Sequence, residues 1–277
     1  MTIANTGSRS KGLSASGGAP VALSVLVASC DAYSDLLTPF SELWRRFWPD
    51  CPYELVLATE TQPVNASQLA FDRVVACGEM KSWGDRLVKA IDSIRTPAIL
   101  MLCDDYLLNG DVDSAGVAKR LEHFFAHRAL NLRLIPNPAP SRTFRLEEGL
   151  GEYDKDTAYC LSTLTGIWDA AFLRSMAAGR NSIWEFERLG SFACGHERRP
   201  LLCTLVKEFP FVDAVHKGKW ERFGADLCQR NGIAVDFARR GMPSPWRKAI
   251  EWGKGRILAV NPTAVVKRQN RLGIGKK

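Results

Sequence analysis

Residues 99–108 read ILMLCDDYLL, an apolar run that ends in two adjacent aspartates. A run of this length and composition predicts a buried β-strand. Asp104 and Asp105 then stand where the strand leaves the core, and buried carboxylates are costly unless a cation or hydrogen-bond donors satisfy them. The stretch therefore predicts a central strand with a site at its carboxyl end.

The segments before this strand alternate between strand-like and helix-like patterns. Apolar, β-branched runs at 21–29, 53–58 and 72–77 predict strands, and apolar residues at helical spacing predict helices at 36–47 and 82–94. Strands that alternate with helices in this way are typical of a mostly parallel sheet with helices on its faces. We therefore predict an α/β fold in a single domain.

The patterns are weaker in the second half of the chain. They predict a helix at 114–129 with Phe125 on its inner side, and strands at 130–136 and 157–166. Between those two strands, the polar segment 137–156 predicts a long mobile loop over a site.

Charge is concentrated at one end of the chain. Of the net charge of +7, residues 246–277 carry +8, so the rest of the chain is nearly neutral at −1. Trp246 and Trp252 lie among these basic residues, which suits contact with an anionic membrane, although a solvated terminal helix has a similar composition. The near-neutral body argues against a nucleic-acid partner.

The N-terminal segment and the spacing of the cysteines indicate the cellular compartment. Residues 1–20 are small and polar, which predicts a disordered leader rather than a secretory signal. No apolar run is long enough for a transmembrane helix. The eight cysteines are never closer than nine residues, which argues against a zinc knuckle and favours reduced thiols in a cytoplasmic protein.

Asp31 follows the first predicted strand as Asp104 and Asp105 follow the fourth, so all three lie at the ligand-binding edge of a parallel sheet. Neighbouring carboxylates raise each other's pKa unless a cation is near. Mg²⁺ or Mn²⁺, bound by one or two carboxylates and completed by phosphate oxygens and water, would satisfy the pair. The alternative is that one aspartate caps a turn and the other is solvated.

Arg86 lies in the first turn of the helix predicted at 82–94, where the helix dipole disfavours a cation. A bound anion such as a diphosphate would explain this position. A salt bridge to Asp85 or Asp104 is the alternative explanation. Asp85 also has capping-box spacing from Ser82, which gives it a structural role at the start of the helix.

Several stretches resemble GT-A glycosyltransferases, most closely bacterial enzymes that build surface polysaccharides such as lipopolysaccharide and capsule. SVLVASCDAYSD, SWGDRLVKAI and AILMLCDDYLL resemble the nucleotide-sugar half of that group, and IWDAAFL and WEFERLGS are similar to its acceptor half. The resemblance implies a GT-A-like (Rossmann-like) fold. It also implies a donor-binding half at 21–110 and an acceptor-binding half at 111–245, followed by the basic tail at 246–277.

The resemblance implies roles for the aspartates. GT-A enzymes bind the metal and the donor's ribose and diphosphate through a DxD motif, whereas this chain has CDDY. Asp105 would bind the metal, and Asp104 would face the ribose or a metal-bound water. The departure from DxD leaves open whether a metal is required. Asp31 resembles the residue that contacts the nucleotide base, or it is only a turn former.

The resemblance also implies a late group of donor-binding residues. In VHKGKW, His216 would bind the metal and Lys217 and Lys219 the diphosphate, although an isolated histidine is more often an ordinary polar residue. Arg86 and Asp85 complete the predicted donor-binding set.

An inverting transfer needs a carboxylate to deprotonate the acceptor hydroxyl. NSIWEFER supplies Glu185 and Glu187. Ser182 and Glu185 have capping-box spacing, so we predict Glu187 as the base and Glu185 as the second choice. Trp168 and Trp184 would either face a sugar ring or pack in the core.

The sequence thus predicts a cytoplasmic glycosyltransferase, peripheral at the inner membrane through its tail. It would move a sugar from a nucleotide-sugar donor to a glycan or lipid-linked acceptor, with inversion and with Mg²⁺ or Mn²⁺. One alternative is a sugar nucleotidyltransferase, but the turn after the first strand lacks the glycine-rich phosphate loop of that class. A second alternative is a non-catalytic protein that binds nucleotide sugars or nucleic acid.

Overall fold

The computed structural model describes residues 22–80, 82–155, 157–242, 263 and 266–268. The predicted leader at 1–20 and most of the basic tail at 246–277 lie outside the described residues. Within the described part, no helix has both the length and the apolar character needed to cross a membrane.

The first half of the central sheet is parallel. Its elements are β1 (Leu23–Ala28), a 3₁₀ turn (Asp31–Leu36), α1 (Leu37–Phe47), β2 (Glu54–Thr59), a second 3₁₀ turn (Ala66–Gln68), β3 (Arg73–Ala76), α2 (Trp83–Asp92) and β4 (Ala98–Cys103). The strands lie in the order β3-β2-β1-β4, and every neighbouring pair is parallel.

The second half of the sheet is mixed. After β4, the chain forms β5 (Tyr106–Leu108), β6 (Asn131–Arg133), β7 (Arg142–Arg145), β8 (Leu150–Glu152), β9 (Gly166–Asp169), β10 (Leu201–Thr204), β11 (Phe211–Asp213), β12 (Val215–His216) and β13 (Lys219–Trp220). The large sheet continues from β4 in the order β9-β6-β10-β8-β7, which makes nine strands within the described residues. Outside the large sheet, β11 pairs with β5 and β12 with β13.

The helices of the second half of the chain lie between these strands, except for the last two, which follow β13. They are α3 (Ser114–Ala126), α4 (Ala170–Ala177), α5 (Ile183–Glu185), a π-helical turn (Phe186–Gly190), α6 (Ser191–Ala193), α7 (Arg222–Arg230) and α8 (Phe237–Arg240).

The predicted α/β fold class is confirmed. Central strands of a parallel sheet are covered on both faces, so they are apolar without alternation. In β1, Val25, Leu26 and Val27 are all fully buried, and they divide between two apolar clusters. Helix α2 begins as its capping box predicts, because the Ser82 hydroxyl accepts a hydrogen bond from the Asp85 backbone N–H.

Three local predictions are wrong. The segment 137–156 is not a long loop, because β7 and β8 form a hairpin that extends the sheet. The strand predicted at 157–166 begins only at Gly166, since the preceding backbone bonds instead to side chains of the helical segment that follows α4. Phe125 is 41% exposed, because α3 packs through Val117 and Phe124.

The strand order reverses beside β1, which has β2 on one side and β4 on the other. Ligands of open α/β sheets bind outside the carboxyl ends of the strands at such a switch point. The carboxyl ends of β1 and β4 lie side by side at this point, and the Asp104 N–H donates a hydrogen bond to the Ala28 carbonyl at 3.2 Å. The adjacent aspartates therefore lie at the predicted ligand-binding edge of the sheet.

Candidate functional site

A cleft of ≈ 470 Å³ opens at this edge. The turn after β1, the start of α2 and the end of β4 line it from one half of the chain. Segment 162–164, α5 with the π-helical turn, and β11–β12 line it from the other half. Six predicted site residues lie in this lining, namely Arg86, Asp104, Asp105, Glu187, His216 and Lys217. The four predicted site residues outside the lining are Asp31, Asp85, Glu185 and Lys219.

Asp104 is 4% exposed, and its Oδ2 accepts a hydrogen bond of 2.5 Å from the Ser29 hydroxyl. Removal of water raises the pKa of the Asp104 carboxyl to about 7, although the Ser29 hydrogen bond and the charge of Arg240 oppose the shift. The cation that acts on Asp104 is therefore Arg240, which the sequence pattern did not predict.

Arg240 reaches the site from α8, at the end of the main described part of the chain. Its guanidinium forms two hydrogen bonds to the Asp35 carboxylate, at 2.8 and 2.5 Å, and one to the Ala32 carbonyl at 2.7 Å. It also lies over the Tyr33 ring, 4.3 Å from its centre. Because Asp35 takes this charge directly, Arg240 compensates Asp104 only in part.

The negative charge of the Asp105 carboxylate is compensated less by nearby groups than that of Asp104. The pKa of Asp105 is raised well above the usual value, first by removal of water and then by the charges of Asp104 and Asp213. Strand β11 places Asp213 there by pairing with β5 in the register Asp213 to Tyr106. Removal of water also raises the pKa of Asp213 to about 6. No local pattern marked Asp213, because strand pairing alone brings it to the aspartates.

The acidic residues at the cleft supply the type of ligand that a divalent cation prefers. Within the described residues, no group of three or more His, Cys, Asp or Glu side chains is arranged to hold a metal ion by itself. Mg²⁺ needs only one or two carboxylates when substrate phosphates and water complete its shell. The raised pKa values of Asp104 and Asp105 mean that the surrounding protein stabilises the charged forms of these carboxylates poorly, whereas a bound cation would stabilise them. Carboxylate oxygens in this environment fit Mg²⁺ or Mn²⁺, with Asp105 as the residue that would hold it.

The buried state of Asp104 predicts a pH dependence of stability. Because its pKa is about 7 in the folded chain, Asp104 keeps a proton up to about that pH, whereas an aspartate in an unfolded chain has a pKa of 3.8. The free energy of unfolding without divalent cations should therefore fall as pH rises between these values. Asparagine at this position does not titrate. Over the same pH range, the free energy of unfolding of Asp104→Asn, measured with urea, should therefore rise relative to that of the wild type by more than about 1 kcal/mol. The same difference in free energy of unfolding between variant and wild type at both ends of this pH range would contradict the prediction.

Arg86 lines the cleft and has a salt-bridge partner, but the partner is neither Asp85 nor Asp104. Its Nη1 lies 2.6 Å from Oε1 of Glu60, which follows β2. Its buried Nε has no hydrogen-bond partner among the described residues. Arg86 therefore brings a guanidinium to the cleft lining, and Glu60 forms an ion pair with it. Glu60 was missed, although the rule that singled out Asp31 after β1 applies equally to the end of β2.

Asp31 joins the loops after β1 and β2. Its carboxylate accepts hydrogen bonds from the backbone N–H groups of Thr61 and Gln62, both at 3.1 Å, and from the Thr61 hydroxyl. The hydroxyl hydrogen bond is the main reason that the pKa of Asp31 is lowered. The carboxylate thus connects two loops that are distant in the sequence, and the base-contact role of Asp31 stays a prediction.

Glu187 lies in the π-helical turn after α5 and is 8% exposed. Its Oε1 accepts three hydrogen bonds: 2.9 Å from the Ser162 hydroxyl, 2.8 Å from the Thr163 N–H and 2.9 Å from the Thr163 hydroxyl. Ser191 ties the two segments together, accepting from the Leu161 N–H at 3.0 Å. π-Helical turns are frequent at functional sites, and here the turn presents a buried carboxylate to the cleft.

Glu185 has a different environment. Its Oε2 accepts from the backbone N–H of Asn181 at 2.6 Å and from the Asn181 side-chain amide at 2.9 Å. The Ser182 hydroxyl accepts from the Glu185 N–H at 3.2 Å, as the capping-box spacing predicts. Glu185 therefore stabilises the start of α5 and does not line the cleft.

The fold and the site together define an architecture. A parallel half-sheet in the order β3-β2-β1-β4, extended by a mixed half, is an open α/β sheet whose strand order reverses at β1. Its cleft at the switch point is lined by acidic residues on one side and by a buried glutamate on the other.

Comparisons with known proteins find distant structural likenesses. No family model matches the chain, and no curated protein sequence does either. Three of the similar solved structures are TarS 1-349 from S. aureus, UDP-glucose pyrophosphorylase complexed with UDP-glucose, and a cytidylyltransferase from Leptospira borgpetersenii. Their sequence identities are 13%, 10% and 11%, with TM-scores of 0.44, 0.44 and 0.43.

The coverage of these matches is uneven. They cover 68%, 68% and 80% of this chain, and 59%, 91% and 98% of the other chains, in the same order. A longer TarS structure is matched over 41% of its length. The chain thus spans less than two thirds of these two TarS structures. At these identities and TM-scores, the likenesses carry no statement about activity or substrate.

Proposed function

We propose that the protein is a glycosyltransferase that moves a sugar from a nucleotide-sugar donor to a glycan or lipid-linked acceptor in bacterial surface polysaccharide synthesis. The observation that carries the proposal is one cleft that holds the acidic pair Asp104 and Asp105 at the switch point together with the anchored carboxylate of Glu187. A transferase of this kind needs charge control at the leaving group and a base at the acceptor.

The donor side of the cleft is suited to a diphosphate. Arg86 and Lys217 supply positive charge at the lining, beside His216. Asp105 would hold Mg²⁺ or Mn²⁺, and the bound cation would neutralise the charge that develops on the leaving diphosphate. The donor's phosphate oxygens would complete the cation's shell, which explains why the protein provides few ligands of its own.

The acceptor side centres on Glu187. All three hydrogen bonds that its carboxylate forms with described residues go to Oε1, so Oε2 remains for an acceptor hydroxyl. In the proposed step, Glu187 takes the hydroxyl proton while the acceptor oxygen bonds to the anomeric carbon. The bond from that carbon to the diphosphate breaks, and its electron pair leaves with the diphosphate. A single positioned carboxylate of this kind supports inversion.

Calorimetric titration with UDP-, GDP-, CMP- and dTDP-sugars, with and without Mn²⁺, tests the proposal. We expect one class of nucleoside-diphosphate sugar to bind, at least about tenfold more tightly with Mn²⁺, because the cation links Asp105 to the diphosphate, whereas a CMP-sugar has only one phosphate. Asp105→Asn should remove the Mn²⁺ effect, and Glu122→Gln, an exposed change on α3, should retain it.

Two outcomes would contradict the proposal. If no donor binds in either condition, the protein is not a nucleotide-sugar transferase. If the chain instead condenses a nucleoside triphosphate with a sugar 1-phosphate, it is a nucleotidyltransferase that lacks the usual glycine-rich loop after β1.

A further inference from the structure

Trp184 is an exposed aromatic residue inside the cleft. Single exposed apolar side chains are common on protein surfaces and need no function. Seven large apolar side chains are more than a third exposed in the described part of the chain, and of these only Trp184, at 51%, lines the cleft. Phe223 is more exposed, at 75%, and lies outside the cleft lining.

The helical segment that carries Trp184 is firmly anchored. Phe186, two residues later, is fully buried and packs on Trp83 at 5.4 Å and on Trp168 at 5.9 Å between ring centres. Trp168 is itself fully buried and therefore belongs to the core. Of the two tryptophans considered for sugar contact, Trp184 is the one that is exposed. Trp184 is therefore exposed although the segment that carries it is held in place by packing against the core.

The surroundings of Trp184 combine an apolar wall with a polar edge. Trp83, Leu164 and Ile183 are partly buried and line the cleft with it. One helical turn further on, Glu187 lines the same cleft. An aromatic surface bordered by a carboxylate matches a ring that has an apolar C–H face and hydroxyl groups around its rim.

We propose that Trp184 forms an acceptor subsite that binds a pyranose ring by stacking on its C–H face, with a ring hydroxyl directed at Glu187. This inference rests on the proposed transferase function and assigns the acceptor as a sugar at the reacting end. A lipid chain in the same place would lie against the Glu187 carboxylate without hydrogen bonds, which is unfavourable.

Saturation-transfer NMR with free sugars tests the subsite directly. The probes are the methyl α- and β-glycosides of glucose, galactose and N-acetylglucosamine, and sorbitol is the acyclic control with hydroxyls but no ring face. Spectra are recorded with the chain alone and with Mg²⁺ and UDP, GDP, CMP or dTDP. We expect at least one pyranoside to show transfer to its ring C–H protons, and sorbitol to show none.

Three variants decide whether the contact is made by Trp184. Trp184→Ala should weaken binding of that pyranoside about tenfold, and Trp184→Phe should keep most of it because a ring remains. Phe223→Ala removes an exposed aromatic outside the cleft and should leave binding unchanged. Equal signals in wild type and Trp184→Ala, transfer to sorbitol as strong as to the pyranosides, or no signal from any pyranoside would each overturn the proposal.

The test of the Trp184 subsite can fail or succeed independently of the test of the proposed transferase function. Donor titration measures nucleotide-sugar binding without any acceptor, and the NMR measurement detects the pyranoside without any transfer. A chain that binds a donor but shows no Trp184-dependent pyranoside contact refutes the subsite alone. A chain that contacts pyranosides through Trp184 but binds no nucleotide sugar refutes the transferase and leaves a sugar-binding cleft.

Discussion

Asp105→Asn should lose at least about a hundredfold in transfer activity while its Tm stays at or above that of the wild type. Activity falls because the variant loses the carboxylate that would hold the cation, a contribution of several kcal/mol to stabilising the leaving group. Stability does not fall, because Asp105 is repelled by Asp104 and Asp213 and gains little from its surroundings in the cation-free chain.

Release of nucleoside diphosphate and thermal unfolding, both measured on the same preparations, check this prediction. Glu122→Gln is the matched control, since it removes one exposed negative charge far from the cleft lining. A loss of activity accompanied by a fall in Tm of more than about 5 °C, well over 1 kcal/mol for a chain of this size, would mean that Asp105 has a structural role.

Glu187→Gln should lower kcat by about 10² to 10⁴, the usual contribution of a positioned general base. The glutamine oxygen can still accept from Ser162 and from both donors of Thr163, so the fold and donor binding should be retained. Steady-state kinetics should show the loss in kcat, with the donor dissociation constant from calorimetry within about twofold of the wild type.

Glu185→Gln separates the two carboxylates considered as the base. Its carboxylate is occupied by Asn181, so we expect a much smaller effect on kcat and a modest loss of stability at the start of α5. A larger loss of kcat in Glu185→Gln than in Glu187→Gln would move the base to Glu185. Wild-type kcat in Glu187→Gln would show that no base is provided at this position.

The sequence pattern was informative wherever a physical signal is local. Continuous apolar character reports that β1 and β4 are buried on both faces, and the capping box at Ser82 marks the start of α2. The position of Asp104 after β4 follows from strand length alone. Once the strands are taken as parallel, their carboxyl ends share an edge, so the acidic site could be predicted without coordinates.

The errors arose where tertiary contacts outweigh local composition. The polar segment 137–156 has the composition of a loop, yet β8 pairs with β10 and recruits β7 as an edge strand. The apolar segment before β9 resembles a strand, yet its backbone satisfies its donors on Glu187 and Ser191. Composition reports burial and polarity, but it does not identify the hydrogen-bond partner.

The sequence by itself determined the α/β class, the switch-point edge, and the adjacent aspartates at that edge. Only the tertiary structure decided which groups meet them there. Asp213 arrives through the pairing of β11 with β5, and Arg240 arrives from α8 to bind Asp35. Glu187 rather than Glu185 lines the cleft, because a π-helical turn and two side chains from a distant segment hold it there. Periodicity records how each element buries its own face, whereas contacts between distant elements depend on packing that no local pattern contains.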